Sequence, residues 1–392
     1  MKLKAISLAV ATSLAVAGQA PALANSEVDE LKQQVQMLMD RIEQLEDKQQ
    51  NTDKQMKSVA SKQPAKVSTA NDGSMLSFYG GVHISMDHNS ENARGAAKGT
   101  SLKSNASRLG FRGAMPTGWN DTELFYRAGI RYGATDDVNN EIEWRVAFAG
   151  LRGSWGAFRA GRLTTQYKST YVKIDPWTDN APQARQAGGM QGVSALHASY
   201  FNNAVQYNSP KFAGGASVGI WHAREFDDSD SDIHNNGVLR NFKGGHATGA
   251  GVRYENAGLY LAADVVDLNA DEVSDDRLEN DSGWQIAARY QFNDFSIAGM
   301  YEDVKDIGLG KNYYINAIYH LDDLRLIAAY GRNTDARFFD EDTINTWSIG
   351  AKYKLTDRSE LFAAYVNRDR QNHDRLNTFT VGVNAKFGFS IR

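Results

Sequence analysis

The sequence predicts an all-β fold: a sixteen-stranded antiparallel transmembrane β-barrel preceded by a short α-helical coiled coil. Three observations lead there. From about Phe78 to Phe389 the chain breaks into sixteen short segments in which apolar and polar residues alternate, as in Phe379, Val381, Val383, Ala385, Phe387 and Phe389 against Thr378, Thr380, Gly382, Asn384 and Lys386. Successive side chains of a strand point to opposite faces, so each segment has one apolar and one polar face. The segments are joined by connections that are alternately short and long. None of the six prolines lies inside a proposed strand, where it would remove a ladder hydrogen bond.

The first element reads as an export signal, residues 1–24. Lys2 and Lys4 precede a short uncharged run from Ala5 to Ala17, and Ala22-Leu23-Ala24 is a small-x-small cleavage pattern. The run is too short to span a bilayer, and no stop-transfer pattern follows. Loss of its two lysines takes the formal charge from −4 to −6, a mildly acidic value with no nucleic-acid signature.

Residues 25–60 read as a coiled coil. Val28, Leu31, Val35, Leu38, Ile42 and Leu45 are spaced 3, 4, 3, 4 and 3 apart, a heptad seam with branched residues at a and Leu at d. Gln49 and Thr52 weaken the seam; Met56 and Val59 extend its register. In a parallel arrangement Glu27 faces Lys32, and Arg41 faces Glu46, with opposite charges. The competing reading is one amphipathic helix packed on its own protein, but the stripe is narrower than such a face. The residue choice favours two strands. Residues 61–74, with Pro64 and Asp72-Gly73, read as a linker, and 75–392 as the barrel.

Strands are expected at 76–88, 107–114, 121–133, 140–152, 157–163, 203–209, 216–226, 247–255, 258–267, 284–292, 295–303, 313–321, 324–332, 345–354, 359–368 and 378–389. Short connections include Gly153-Ser154-Trp155-Gly156, Asn256-Ala257, Asn293-Asp294, Asp322-Asp323 and Thr356-Asp357-Arg358. Long ones include 89–106, 164–202, 227–246, 268–283, 333–344 and 369–377. In outer-membrane barrels the short side is periplasmic, which places the coiled coil in the periplasm as well.

The apolar rows carry aromatics near their ends: Tyr313, Ile315, Ala317, Tyr319 and Leu321, for example, or Trp347, Ile349, Ala351, Tyr353 and Leu355. Interfacial girdles have this placement. A soluble sandwich would show the same period, but its opposite parity would face bulk water on every strand. The mean hydropathy of −0.50 does not separate the two, because half of each barrel strand faces water.

Catalytic readings find little support. There are no cysteines, hence no thiol nucleophile or thiolate metal site. The eight histidines are scattered, and H-E-x-x-H, G-x-S-x-G and phosphate-binding loops are missing. No cofactor is implied. An outer-wall Ser-His hydrolase pair is the residual enzymatic alternative.

Several stretches resemble the general-diffusion porins of bacterial outer membranes. Ser107-Arg108-Leu109-Gly110-Phe111-Arg112-Gly113 is similar to that family's second strand, Arg145-Val146-Ala147-Phe148-Ala149-Gly150-Leu151-Arg152-Gly153 to its fourth, and Ala157 to Arg162 to its fifth. Gln206-Tyr207-Asn208-Ser209-Pro210 and Phe212-Ala213-Gly214 resemble the strand and turn that follow. The resemblance spans residues 75 to 389 and rests on the order and spacing of these motifs. It implies a homotrimer of barrels, each with a water-filled pore for small hydrophilic solutes, and a third loop folded into the lumen. Here that loop is about 164–202, carrying Asp175, Asp179, Arg185 and His197. The family pairs acids on this loop with wall arginines; Arg108 and Arg145 match the wall positions and Asp179 a loop acid. Where the family carries a second acid, this chain has Gln183 and Arg185. The coiled coil lies outside the usual pattern, though some specific porins carry one. Ser390-Ile391-Arg392 follow Phe389, where the family ends on Phe.

By strand register the inward bases are Arg108, Arg112, Arg127, Arg131, Arg145, Arg159, Arg253, Arg289, Arg325, Lys352, Lys354 and Lys386. The inward acids are Asp87, Glu123, Glu141, Glu143, Asp264 and Glu302. This excess points to weak anion preference, and the arginines from 108 to 159 should cluster because they lie on adjacent strands. The long loops are acidic, at 227–232, 271–281 and 340–342. They read as solvated tips that contact lipopolysaccharide through bridging divalent ions; they lack the ordered spacing of a Ca²⁺ loop. Two alternatives to a general pore are a substrate-specific channel for small anionic or sugar-like solutes, suggested by Tyr167, Tyr171, Trp177 and Tyr200 on the long loop, and a structural barrel tied to the cell wall through its coil.

Overall fold

A computed structural model of the chain describes residues 36, 74–91, 98–135, 142–185, 191–225 and 237–391. The chain forms two units, 1–69 and 70–392. Apart from Gln36, which is helical and exposed, the first unit lies outside the described residues. The export signal, the coiled coil, residues 61–73 of the linker, Glu141 and the acidic run 227–232 lie outside them too.

The second unit is a sheet closed on itself. In chain order its strands are β1 (Met75–Asn89), β2 (Gly99–Ser104), β3 (Arg108–Pro116), β4 (Glu123–Tyr132), β5 (Ile142–Gly153), β6 (Gly156–Leu163), β7 (Phe201–Asn208), β8 (Ala216–Arg224), β9 (Phe242–Lys243), β10 (His246–Asn256), β11 (Leu259–Asn269), β12 (Glu272–Val273), β13 (Ser282–Phe292), β14 (Phe295–Asp303), β15 (Lys311–Leu321), β16 (Leu324–Thr334), β17 (Ile344–Thr356), β18 (Ser359–Arg370) and β19 (Leu376–Ile391). The two short strands β9 and β12 pair only with each other, and the other seventeen make the closed sheet. Every pairing is antiparallel, and β1 closes on β19 from Leu76↔Ile391 to Asn89↔Thr378. Both β2 and β3 pair with β1, so they form one stave interrupted at Asn105-Ala106-Ser107, where Ala106 is left-handed (φ 59°). The seventeen strands of the sheet therefore make sixteen staves. Closure leaves no open strand edge, the condition for a sheet to survive in lipid.

The sixteen segments of alternating residues are the sixteen staves. Three details depart from the sequence reading. The connection expected at 89–106 contains β2, which lengthens the second stave. Ser390 and Ile391 continue β19 past Phe389 and pair with Ser77 and Leu76. In β5 the register slips between Gly129↔Val146 and Ile130↔Trp144, leaving Arg145 as an extra, bulged residue. A bulge shifts side-chain parity, so Glu143 and Arg152 face the lumen from opposite ends of one strand.

Turns at one end are tight. Asn293, Asp322 and Ala257 take left-handed φ of 47°, 50° and 47° at the start of two-residue hairpins, which matches the twist of the flanking strands. Outward rows are exposed and apolar: Tyr313 and Ile315 are 42% and 48% accessible, whereas the inward Tyr314 and Asn316 are 4% and 3%. Such a surface requires an apolar surrounding.

The long-loop end is packed rather than open. Val238, Leu239, Phe242, Leu268, Leu278, Val304, Ile307, Leu309, Phe338 and Phe339 share one apolar cluster there. The β9–β12 pair brings Phe242 opposite Val273 at its margin. The acids of 271–281 are partly tied down: Glu272 meets Lys243, Asp275 meets Arg277, and Glu279 meets Arg337. The reading of these runs as simply solvated tips is corrected to that extent.

Candidate functional site

The lumen is shaped by the connection between β6 and β7. It starts with helix α1 (Gln166–Ile174). Nine residues are too few for a helix to be stable alone, so its position depends on the wall. The wall supplies donors to carbonyls that a helix end leaves unpaired: Arg289 donates to Lys173 O at 2.9 Å and Asn316 Nδ2 to Ile174 O at 3.0 Å. At its start, Arg253 donates to Gln166 O (2.7 Å) and to Thr170 Oγ1 (2.8 Å), and Thr170 donates to Asp264 (2.7 Å). Asp264 also pairs with Arg253 at 2.6 Å, so this inward acid serves the helix anchor.

Beyond the helix the loop turns on Asp175. Its carboxylate accepts from the Trp177 and Ala184 N–H groups and from Tyr314 Oη, each at 2.9 Å. Burial pushes this carboxyl upward, against those donors. Trp177 is fully buried against Ile327, Phe362 and Ala364, with Lys352 Nζ 5.3 Å from its ring centroid. Asp179, left-handed at φ 67°, then reaches the opposite wall: its carboxylate lies 2.9 Å from Arg108 there and 3.5 Å from Arg185 of its own loop. Burial alone would raise Asp179, but the charges of Arg145, Arg108 and Arg185 outweigh it and hold the carboxyl well below the ordinary range.

The returning limb is latched by Glu302. This buried carboxylate accepts from Tyr167 Oη (2.8 Å), Ser194 N–H (2.9 Å) and Ser194 Oγ (2.8 Å), with His197 Nε2 at 3.0 Å. The limb crosses β15 and β16 at glycine: a Cβ on Gly331 would sit 2.0 Å from Gln191 O, and one on Gly192 2.6 Å from Gly331 Cα. It ends on Tyr200, whose ring carries Lys168 Nζ at 3.5 Å, Arg162 at 5.2 Å and Arg145 at 5.7 Å. Lys168 also donates to Ala198 O and Ser199 O. Burial, then Arg185 and Arg145, push its ammonium well down.

The loop thus covers staves from β10 round to β18 and leaves β3 to β6 facing it. Those four staves carry the arginines read from the sequence. Arg108 meets Asp179, Arg131 lies 3.8 Å from Glu143, and Arg145 lies by Tyr200. Arg127 donates to Tyr79 Oη at 2.9 Å, and Arg159 donates to Gln206 and to Thr164 O, both at 2.9 Å. Arg112 is exposed and has no ion-pair or hydrogen-bond partner among the described residues. Asp175 is taken up by loop N–H groups and by Tyr314 on the wall, and Arg185 leans on Asp179 and the Tyr171 ring.

Some lumenal groups escape a sequence reading. Glu360 binds Arg325, Lys352 (3.0 Å) and Asn384 (3.0 Å). It shares its parity with Phe362, Ala364 and Val366, an apolar row that the register turns inward, where Trp177 packs on Phe362 and Ala364. Lys168 and Tyr200 are thirty-two positions apart, and only the loop's return joins them.

Comparison with known proteins places this arrangement. A family model described as Gram-negative porin matches residues 57–373. An outer membrane porin protein of Bordetella pertussis is 25% identical over 286 residues, 71% of this chain and 72% of that one. Among solved structures, an anion-selective porin from Comamonas acidovorans aligns at TM-score 0.64 and 18% identity, covering 80% of this chain and all of that one. The OmpF of Salmonella typhi aligns at TM-score 0.62 and 19% identity, covering 81% of this chain and 99% of that one.

Proposed function

Because this chain belongs to the Gram-negative porin family, a family of channels rather than enzymes, we propose that it passes small hydrophilic solutes and ions by diffusion across the outer membrane with a weak preference for anions. The observation that carries the preference is the wall β3–β6, where Arg108, Arg112, Arg127, Arg131, Arg145 and Arg159 face a loop whose one acid turned toward them is Asp179. A pore selects by aperture and by the sign of the charge lining it. A cationic wall raises the local concentration of anions in a confined, low-dielectric passage. Asp175, the loop's other acid, is closed off by its hydrogen bonds and contributes little field to a passing ion.

In this reading Arg108, Arg145, Asp179 and Arg185 form the constriction, and the remaining arginines line its approaches. Residues 1–24 are the export signal, 25–60 a periplasmic coiled coil, 61–74 a linker, and 75–392 the pore, assembled as a homotrimer in lipid and lipopolysaccharide. Recordings from the purified full-length protein in planar bilayers test it. Threefold conductance steps support a trimeric pore, and no channel at all overturns it. A second reading, a channel specific for small anionic or sugar-like solutes, is favoured by Tyr200 with three cations on its ring. Block of conductance by such a solute at low concentration supports it over the general pore.

A further inference from the structure

Two cross-strand arginine pairs stand on β3 and β4: Arg108 opposite Arg131, and Arg112 opposite Arg127. Like charges directly opposite one another repel. The first pair is compensated, since Asp179 lies 2.9 Å from Arg108 and Glu143 3.8 Å from Arg131. The second pair, nearer the short turns, has no carboxylate on either guanidinium among the described residues. Glu123, the inward acid on the same side, is held by Arg152 at 2.9 Å. A third cation joins them. Phe148 lies directly opposite Arg127, and the Arg159 guanidinium sits 5.1 Å from its ring centroid. Arg159 lies within electrostatic reach of Arg127, and its buried Nε has no hydrogen-bond partner among the described residues.

The site is built rather than incidental. Tyr79 lies flat on the wall in a slot opened by two glycines: a Cβ on Gly110 or Gly129 would come within 2.6 Å of its ring or hydroxyl. From there Tyr79 Oη accepts from Arg127 Nε at 2.9 Å and its ring carries the Arg127 guanidinium at 4.9 Å. That contact uses Nε, and Arg112 stands directly opposite Arg127 in the β3–β4 register.

We propose that Arg112, Arg127 and Arg159 form an oxyanion-binding site on the short-turn side of the constriction, with Tyr79 as the residue that positions Arg127. The ligand class is a small multivalent oxyanion, which guanidinium forks recognise by paired hydrogen bonds and which removes the repulsion between the arginines. The site deepens the anion-preference reading and rests on it.

The test is inorganic phosphate added to full-length protein in planar bilayers carrying potassium chloride at matched ionic strength. Phosphate is expected to reduce chloride conductance saturably. Arg127→Gln should raise the concentration for half-block about tenfold, about 1.4 kcal/mol. Tyr79→Phe, which keeps the ring and the arginine but not the acceptor, should raise it about fivefold while the reversal potential in chloride alone keeps its sign. A merely structural role for Tyr79 would leave the half-block concentration unmoved. Should Arg127→Gln not assemble, Arg112→Gln gives the same comparison. Equal block in wild type and variants, or no block beyond that of added chloride, overturns the site. If that happens while the chloride gradient still shows anion preference, the site fails alone; a cation-selective wild type overturns the broader reading as well.

Discussion

Replacing Glu302 by Gln removes the charge that latches the returning limb of the lumenal loop. Four donors converge on that carboxylate at 2.8–3.0 Å, from Tyr167, Ser194 twice and His197. A hydrogen bond to a buried charge contributes about 1.5–3 kcal/mol, and a donor left unsatisfied costs about as much. Glutamine keeps one acceptor oxygen, so roughly two of the four contacts are lost. The net loss is about 3 kcal/mol, or about 150-fold in the balance between latched and released loop. Helix α1 keeps its separate anchors at Arg253, Arg289 and Asn316, so the barrel itself should persist. The assay pairs single-channel recording with limited trypsin cleavage at Lys173 and Arg185. The variant should show added current noise and faster cleavage within the loop, with unchanged migration of the folded barrel on gels. Noise and cleavage identical to wild type would refute the assignment of Glu302 as the latch.

Gly331→Ala places a methyl 2.0 Å from Gln191 O, so the limb must lift from the wall, and open-channel conductance should change with little effect on barrel stability. Asp179→Asn removes the carboxylate shared by Arg108 and Arg185 and should shift the reversal potential further toward anions. The pH response of the same residue has a defined sign. Its folded carboxyl is depressed, so the stabilisation it gives is present above the unfolded value of about 3.9 and is lost as pH falls below it toward the folded value. The Arg108 link should therefore survive acidification to about pH 4, read as an Asp179-dependent selectivity difference that persists at that pH. Phe339→Ala opens a cavity in the loop cluster and should cost about 3–5 kcal/mol locally, seen as protease sensitivity at the long-loop end without loss of the barrel.

The staves were legible because each carries a two-residue period that only one register satisfies; the rows around Tyr313 and Trp347 show this most plainly. The bulge at Arg145 was not, because a one-residue slip leaves no compositional trace while moving Arg152 to the lumenal face. Inward Phe362 and Ala364 broke the polar-inward rule for a tertiary reason: Trp177, from a loop 185 positions away, covers Phe362. The packed long-loop end depends on Phe242, Leu278, Ile307 and Phe339 meeting from four separate connections. Individually each sits among polar or charged neighbours of its own connection, as Phe242 does between Asn241 and Lys243. At the candidate site, Arg108 and Asp179 stand 2.9 Å apart on elements whose positions the sequence shows, whereas the Glu302 latch and the Lys168–Tyr200 contact arise from how the loop returns.

The most direct measurement of the central claim is the reversal potential of the wild-type full-length channel in a potassium chloride gradient at neutral pH. A potential displaced toward the chloride equilibrium value, and reduced by neutralising Arg108 or Arg145, is the predicted result. A potential displaced toward the potassium value would contradict it.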